Sequence, residues 1–159
     1  MAKAGYWVGT SSAVALAAAT AKTALMVITP STFGGDLKKF RVSFDGVTAS
    51  AVPVLCELVS STNATNSTPG TNNTSETANI VQVYGRSITT GFTAFSASTT
   101  EPTVLTIVER FLLTPVAGTL FYDFPLGDTY DWAVSNGIGL RLTAPATVNA
   151  RASMTFERC

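Results

Sequence analysis

From residue 39 onward the chain alternates apolar and polar positions, and most of its predicted elements follow from that period of two. In "KFRVSFDG", Phe40, Val42 and Phe44 fall on one side, and Lys39, Arg41, Ser43 and Asp45 on the other. This is the pattern of a half-buried strand, closed by the turn dipeptide Asp45-Gly46. "ASAVPVLCELV" is apolar on parts of both faces, which predicts deeper burial; Pro53 has no amide to donate and marks an edge or a bulge. "IVQVYGRSI" reads as another strand. In "TVLTIVERFLL", residues 103–113, Leu105, Ile107, Glu109 and Phe111 oppose Val104, Thr106, Val108 and Arg110. Its β-branched content favours strand over helix. "GTLFYDFPLG" sets Leu120, Tyr122 and Phe124 against Thr119, Phe121 and Asp123, and "DTYDWAVSNG" reads as a loop or short turn ending at Asn136-Gly137.

The closing stretch, "GIGLRLTAPATVNARASMTFERC", holds two alternating runs around "APAT". Ile138, Leu140 and Leu142 share one side of the first. Val148, Ala150, Ala152, Met154 and Phe156 share one side of the second. The pattern predicts a hairpin of these two strands. Its apolar side is small near the turn and large near the end, so a facing sheet or subunit can approach closely. Val148, Ala150, Ala152, Met154 and Phe156 are therefore the candidate oligomer face.

About eight strands separated by turn signals predict an all-β protein, an antiparallel two-sheet sandwich of the jelly-roll kind; an up-and-down barrel is the alternative. Residues 31–159 form the single sandwich domain. Residues 1–30 are expected to form an N-terminal arm, with the Ala-rich segment 11–24 either a short helix or extended. Within the domain, residues 60–79, "SSTNATNSTPGTNNTSETAN", are nearly all Ser, Thr and Asn. Such a tract buries little apolar surface and predicts an exposed loop. Its four N-x-[ST] matches, at Asn63, Asn66, Asn72 and Asn73, are what a tract of this composition produces by chance.

Composition narrows the function. Lys plus Arg and Asp plus Glu both number 10, so no basic field is available for nucleic acid, and none is expected as a partner. Charged residues are only 13% of the chain, which weakens the usual electrostatic guard against self-association. The apolar stretch Ala13–Ala19 resembles a signal-peptide core, but it is short, and "GYWVGTSS" separates it from Lys3. Lys22 interrupts any longer run, so no membrane span is predicted. Cys56 lies in an apolar run and Cys159 is the last residue, and free thiols are expected of both.

The chain contains no histidine. A Ser-His-Asp triad, a Cys-His pair and an H-E-x-x-H zinc site are therefore excluded, and no cofactor, metal or catalytic residue is predicted. What chemistry remains sits in "DFPLGDTYDW": Asp123, Asp128 and Asp131 with Tyr130 and Trp132. Carboxylates beside aromatic rings suit a sugar. Asp128, Tyr130, Asp131 and Trp132 are the candidate ligand or partner contacts, against the plainer reading of solvated turn aspartates beside rings that plug the sandwich end.

Residues 79–159 resemble small tailed-phage head decoration (cement) proteins, through "YGRSITTG", "EPTVLT", "FLLTP", "FPLG" and above all "GIGLRLTAPATVNARASMTFE". The resemblance implies a virion protein on the capsid surface: a homotrimer bound to the major capsid protein, stabilising the shell without enzymatic activity. It also implies an arm, residues 1–30, that reaches across the lattice. The alternative function is a receptor- or glycan-binding jelly-roll module of a tail fibre or secreted adhesin.

Overall fold

The computed structural model describes residues 4–47, 52–116, 118–125 and 127–159. Among these the chain forms β1 (Gly5–Gly9), β2 (Val14–Leu16), β3 (Ala21–Ile28), β4 (Gly35–Phe44), β5 (Val54–Ser61), β6 (Thr74–Ser75), β7 (Val81–Tyr84), β8 (Thr93–Ser96), β9 (Leu105–Leu113), β10 (Thr119–Asp123), β11 (Tyr130–Trp132), β12 (Gly137–Thr143) and β13 (Val148–Arg158). A single 3-10 turn, Thr77–Asn79, is the helical content of the described residues.

The strands form two antiparallel sheets. Sheet one runs β10-β4-β13-β1-β7, with β11 also beside β4 and β2 also beside β13; sheet two runs β6-β8-β3-β12-β5-β9. Taking the eight principal strands alone, β1-β13-β4-β10 faces β3-β12-β5-β9. Two interlocked Greek keys of this order are a jelly roll. The expected all-β sandwich is therefore the observed one.

The core lies between the sheets. Tyr6, Phe40, Met154 and Phe156 project into it from sheet one, and Leu25, Leu58, Ile138 and Leu140 from sheet two, all 0–2% exposed. The rings of Phe92 and Phe156 meet edge to face at 4.7 Å. Each such side chain contributes about 1.5–3 kcal/mol by leaving water.

Sheet two also buries part of its outer face. Met26, Ile28, Val59 and Phe95 form a second apolar cluster there, each 0–4% exposed. Gly137 and Gly139 make room for it: a Cβ at Gly139 would stand 2.9 Å from the Met26 methyl.

Four expectations change. The stretch expected to be an arm is extended, not helical, and from residue 4 it is woven into both sheets. Strand β1 pairs with β13 and β7, β3 pairs with β12 and β8, and Tyr6, Val8, Leu16 and Leu25 are core residues. Their alternating apolar positions find a core to fill, so nothing detaches them. Residues 1–3 lie outside the described residues.

The closing hairpin does not form. Strand β12 pairs with β3 and β5 in sheet two, β13 with β1, β2 and β4 in sheet one, and Ala144–Thr147 carries the chain from sheet to sheet. Alternation fixes which side of a strand is buried but leaves its neighbours open.

The candidate oligomer face is consequently spent inside the chain. Ala150, Ala152, Met154 and Phe156 are 0–4% exposed, and Val148 packs against the same core. The small residues near the turn face the opposing sheet of the same molecule.

The Ser/Thr/Asn tract is more ordered than a bare loop. Ser60 and Ser61 end β5, Thr74 and Ser75 pair with β8, and Ser67 and Glu76 are buried. Asn66 Nδ2 donates to Glu101 O at 3.2 Å, Asn72 Nδ2 donates to Asn66 Oδ1 at 3.0 Å, and Thr103 N donates to Thr65 O at 3.0 Å. Amide side chains here supply the bonds that apolar packing does not.

Candidate functional site

The sequence-predicted quartet does not converge. Tyr130–Trp132 is a short strand beside β4, and its alternation sends Tyr130 and Trp132 inward and Asp131 outward. Trp132 is 5% exposed, with its ring centroid 6.2 Å from both Phe92 and Phe156. Its Nε1 is buried without a hydrogen-bond acceptor among the described residues. No sugar can stack on this ring. Tyr130 is half-buried and packs on the core, while Asp128 and Asp131 are exposed.

The buried carboxylates serve as ties between strands. Glu57 on β5 accepts from Arg110 Nε of β9 at 2.8 Å and from Arg141 Nε of β12 at 2.8 Å, bracing three adjacent strands. Burial alone would raise this carboxyl, but the two guanidiniums hold it below the usual carboxylate range. Glu76 accepts from Ser11 N at 3.0 Å, Ser11 Oγ at 2.9 Å, Ser96 Oγ at 2.5 Å and Asn79 Nδ2 at 2.6 Å. Its burial also opposes ionisation, and these donors outweigh it. Glu101 accepts from Thr23 N at 2.6 Å and Thr23 Oγ1 at 2.8 Å, yet burial wins there and its carboxyl is raised. Among the described residues no group of three or more Cys, Asp and Glu side chains is arranged to hold a metal ion.

Two surfaces stand out instead. The first is the outer face of sheet one. One register row runs Phe121–Arg41–Ser153–Gly9, and the next runs Asp123–Lys39–Thr155–Trp7–Val81. The Trp7 indole lies back over Gly9, where a Cβ would come 2.8 Å from Trp7 Cζ2. Trp7 and Phe121 wall a groove of about 300 Å³ floored by Gly9 and Ser153, with Arg41 and Arg151 at its side and no carboxylate in its lining. The Arg41 guanidinium sits 5.0 Å above the Phe121 ring. Arg151 has no ion-pair or hydrogen-bond partner among the described residues.

The second surface is the side of the sandwich where β9 and β10, the outermost strands of their sheets, stand with free edges. Between them opens a cleft of about 240 Å³ lined by Phe40, Leu58, Phe111, Leu120, Tyr122 and Phe124, with Glu109 beside them. Phe40 stacks on Tyr122 at 5.3 Å and on Phe111 at 5.8 Å. Leu112 of β9 and Tyr122 of β10 are 66% and 40% exposed.

The alternation in "KFRVSFDG" and "TVNARASMTFE" already places Arg41 and Arg151 on polar sides. What it lacks is the strand order that brings them beside Trp7 and Phe121. No family model, curated protein or solved structure matches the chain.

Proposed function

We propose that this chain is a structural protein of a virus particle: a jelly roll that coats the outside of a phage capsid as a homotrimer and stabilises the shell through contacts with the major capsid protein. It is read as a protein without enzymatic activity, made in the host cytoplasm and carried on the virion. The observation that carries the reading is the β9–β10 side. Natural sheets blunt their free edges with Lys, Pro, bulges or short strands, because a bare edge recruits further strands. Here a nine-residue edge strand, β9, has a single register shift, and large apolar side chains lie exposed along it and along β10. Exposed apolar side chains beside free sheet edges suit a protein that meets a partner.

Other features agree. The buried carboxylates brace strands, the chain lacks histidine, and its surface carries little charge. Many copies of a modest contact hold a shell collectively, and three-fold lattice positions suit a trimer. The glycan-binding alternative loses its platform with the burial of Trp132.

Quantitative mass spectrometry of purified particles tests the reading. Hundreds of copies per particle are expected of a shell protein. A handful, the number of a tail tip, or none at all overturns it.

A further inference from the structure

We infer that copies of this chain associate edge to face: the β9–β10 side of one copy docks on the Trp7–Phe121 groove of the next. The inference rests on the reading of the chain as a self-assembling shell protein and names the contact. Its ground is where the unmatched charges lie. The net charge is zero, and within the chain Lys38 pairs with Asp36 and Glu157 and Arg110 and Arg141 pair with Glu57, while the neutral donors of Ser11, Ser96 and Thr23 hold Glu76 and Glu101 and Asn149 holds the exposed Asp45. Glu109 on β9, Asp123 at the end of β10 and Asp128 in the loop between β10 and β11 have no such partner among the described residues. Of these, Asp123 faces Lys39 across the sheet, which leaves Glu109 and Asp128 as the free acids. Arg41 and Arg151 are the cations of the groove, and Asp45 lines the neighbouring crevice beside Arg151.

One surface is therefore acidic and aromatic, the other basic and aromatic, and both are exposed on the same chain. Opposite patches of this kind steer association and fix register. Because the two patches are different surfaces, the contact is heterologous. A heterologous contact closes into a ring when the rotation allows, and a three-membered ring is the trimer of the proposed function. The apolar edge side chains, Leu112 and Tyr122, then leave water against Trp7.

Sedimentation equilibrium with the full chain tests this, using charge reversal on each side and on both. Arg41→Glu with Arg151→Glu, and separately Glu109→Lys with Asp128→Lys, should each weaken association about thirtyfold or more. The four substitutions together restore opposite charge and should restore assembly. All the positions are exposed, and the buried Trp132 ring reports through near-ultraviolet circular dichroism that each variant is folded. Should a double variant not fold, wild-type protein in 50 and 500 mM salt carries the question: association must weaken with salt, and the Trp7 emission, shifted to the blue on assembly, must return.

A trimer indifferent to the reversals, or a folded quadruple variant that stays at 16.6 kDa, overturns the contact and leaves the shell reading standing. Wild type that remains at that mass up to 100 μM overturns the contact and self-assembly together. A hit on a capsid-protein peptide that the groove reversals abolish, with the trimer intact, also overturns it and gives the groove to the shell.

Discussion

Gly35 lies directly beneath the indole of Trp132: a Cβ at Gly35 would stand 2.4 Å from Trp132 Cζ2. The two residues are register partners on β4 and β11, so the absence of a side chain on one strand lets the ring of the other lie flat and fill the end of the core. Gly35→Ala should therefore destabilise the protein by about 1–3 kcal/mol, the usual cost of overpacking. Trp132→Ala should cost about 3–5 kcal/mol, as for other large core side chains. Urea unfolding monitored by far-ultraviolet circular dichroism measures both. A Trp132→Ala variant as stable as wild type would contradict the burial of the ring.

Acid should loosen the molecule in a definable window. The Glu57 and Glu76 carboxyls are buried, which by itself raises them, but donors from Arg110, Arg141, Ser96 and Ser11 hold both below the 4.5 of an ordinary glutamate. A lowered folded-state value means that stability is fully present above that ordinary value and is lost as pH falls through the folded one. Glu101, raised by burial, has the opposite sign: its contribution is largest in acid and declines as pH rises through the range above 4.5. Melting temperature should thus fall below about pH 4.5. In Glu57→Gln that acid loss should be smaller, and stability at pH 7 should be lower by about 1–2 kcal/mol.

Glu76 fastens the Ser/Thr/Asn tract to the start of the chain. Ser11, Asn79 and Ser96 all donate to it, and its own amide donates to Ala94 O at 2.8 Å. Glu76→Ala strands these donors, at about 1–3 kcal/mol. Hydrogen exchange should then quicken at the amides of Thr99 and Thr103, which bond to the tract at Asn72 O and Thr65 O, before it quickens in β12 or β13. Equal quickening everywhere would place Glu76 in the global core.

The two thiols should differ sharply. Cys56 is fully buried, and that burial pushes its thiol up to about 12; Cys159 is exposed. Since the thiolate is the reactive form, a disulfide reagent at neutral pH should titrate one thiol per chain quickly. The second should react only on unfolding. Two fast thiols would contradict the packing of β5.

The strand content was legible in the sequence, because alternation is a local property and β4, β9, β10, β12 and β13 all carry it. Their partners were not. The two runs of the closing stretch look like a hairpin since they are adjacent and equally patterned, yet Ala144–Thr147 sends them to different sheets. The same gap misplaced the functional reading. Trp132 sits in an acidic, turn-rich segment that suits either a sugar platform or a plug for the sandwich end, and what decides for the plug is Gly35, almost a hundred positions earlier, which makes the slot that hides the ring. The Trp7–Phe121 groove joins four strands drawn from both ends of the sequence, so no local window contains it. Residues 1–30 read as an arm through the Ala-rich run 11–24 and the phage resemblance, although Tyr6, Val8, Leu16 and Leu25 are core residues of strands.

Strand β13 lies between β1 and β4 in the middle of sheet one, with Gly5 pairing to Glu157 and Phe44 to Ala150. A nascent chain leaving the ribosome thus carries β1 and β4 with their inner edges bare until the 148–158 segment emerges. Closing such distant pairings is slow, and the waiting edges invite aggregation. Synthesis of this protein should accordingly reward cold induction and holdase chaperones, and a nonsense codon anywhere before residue 148 should yield insoluble product rather than a smaller working domain.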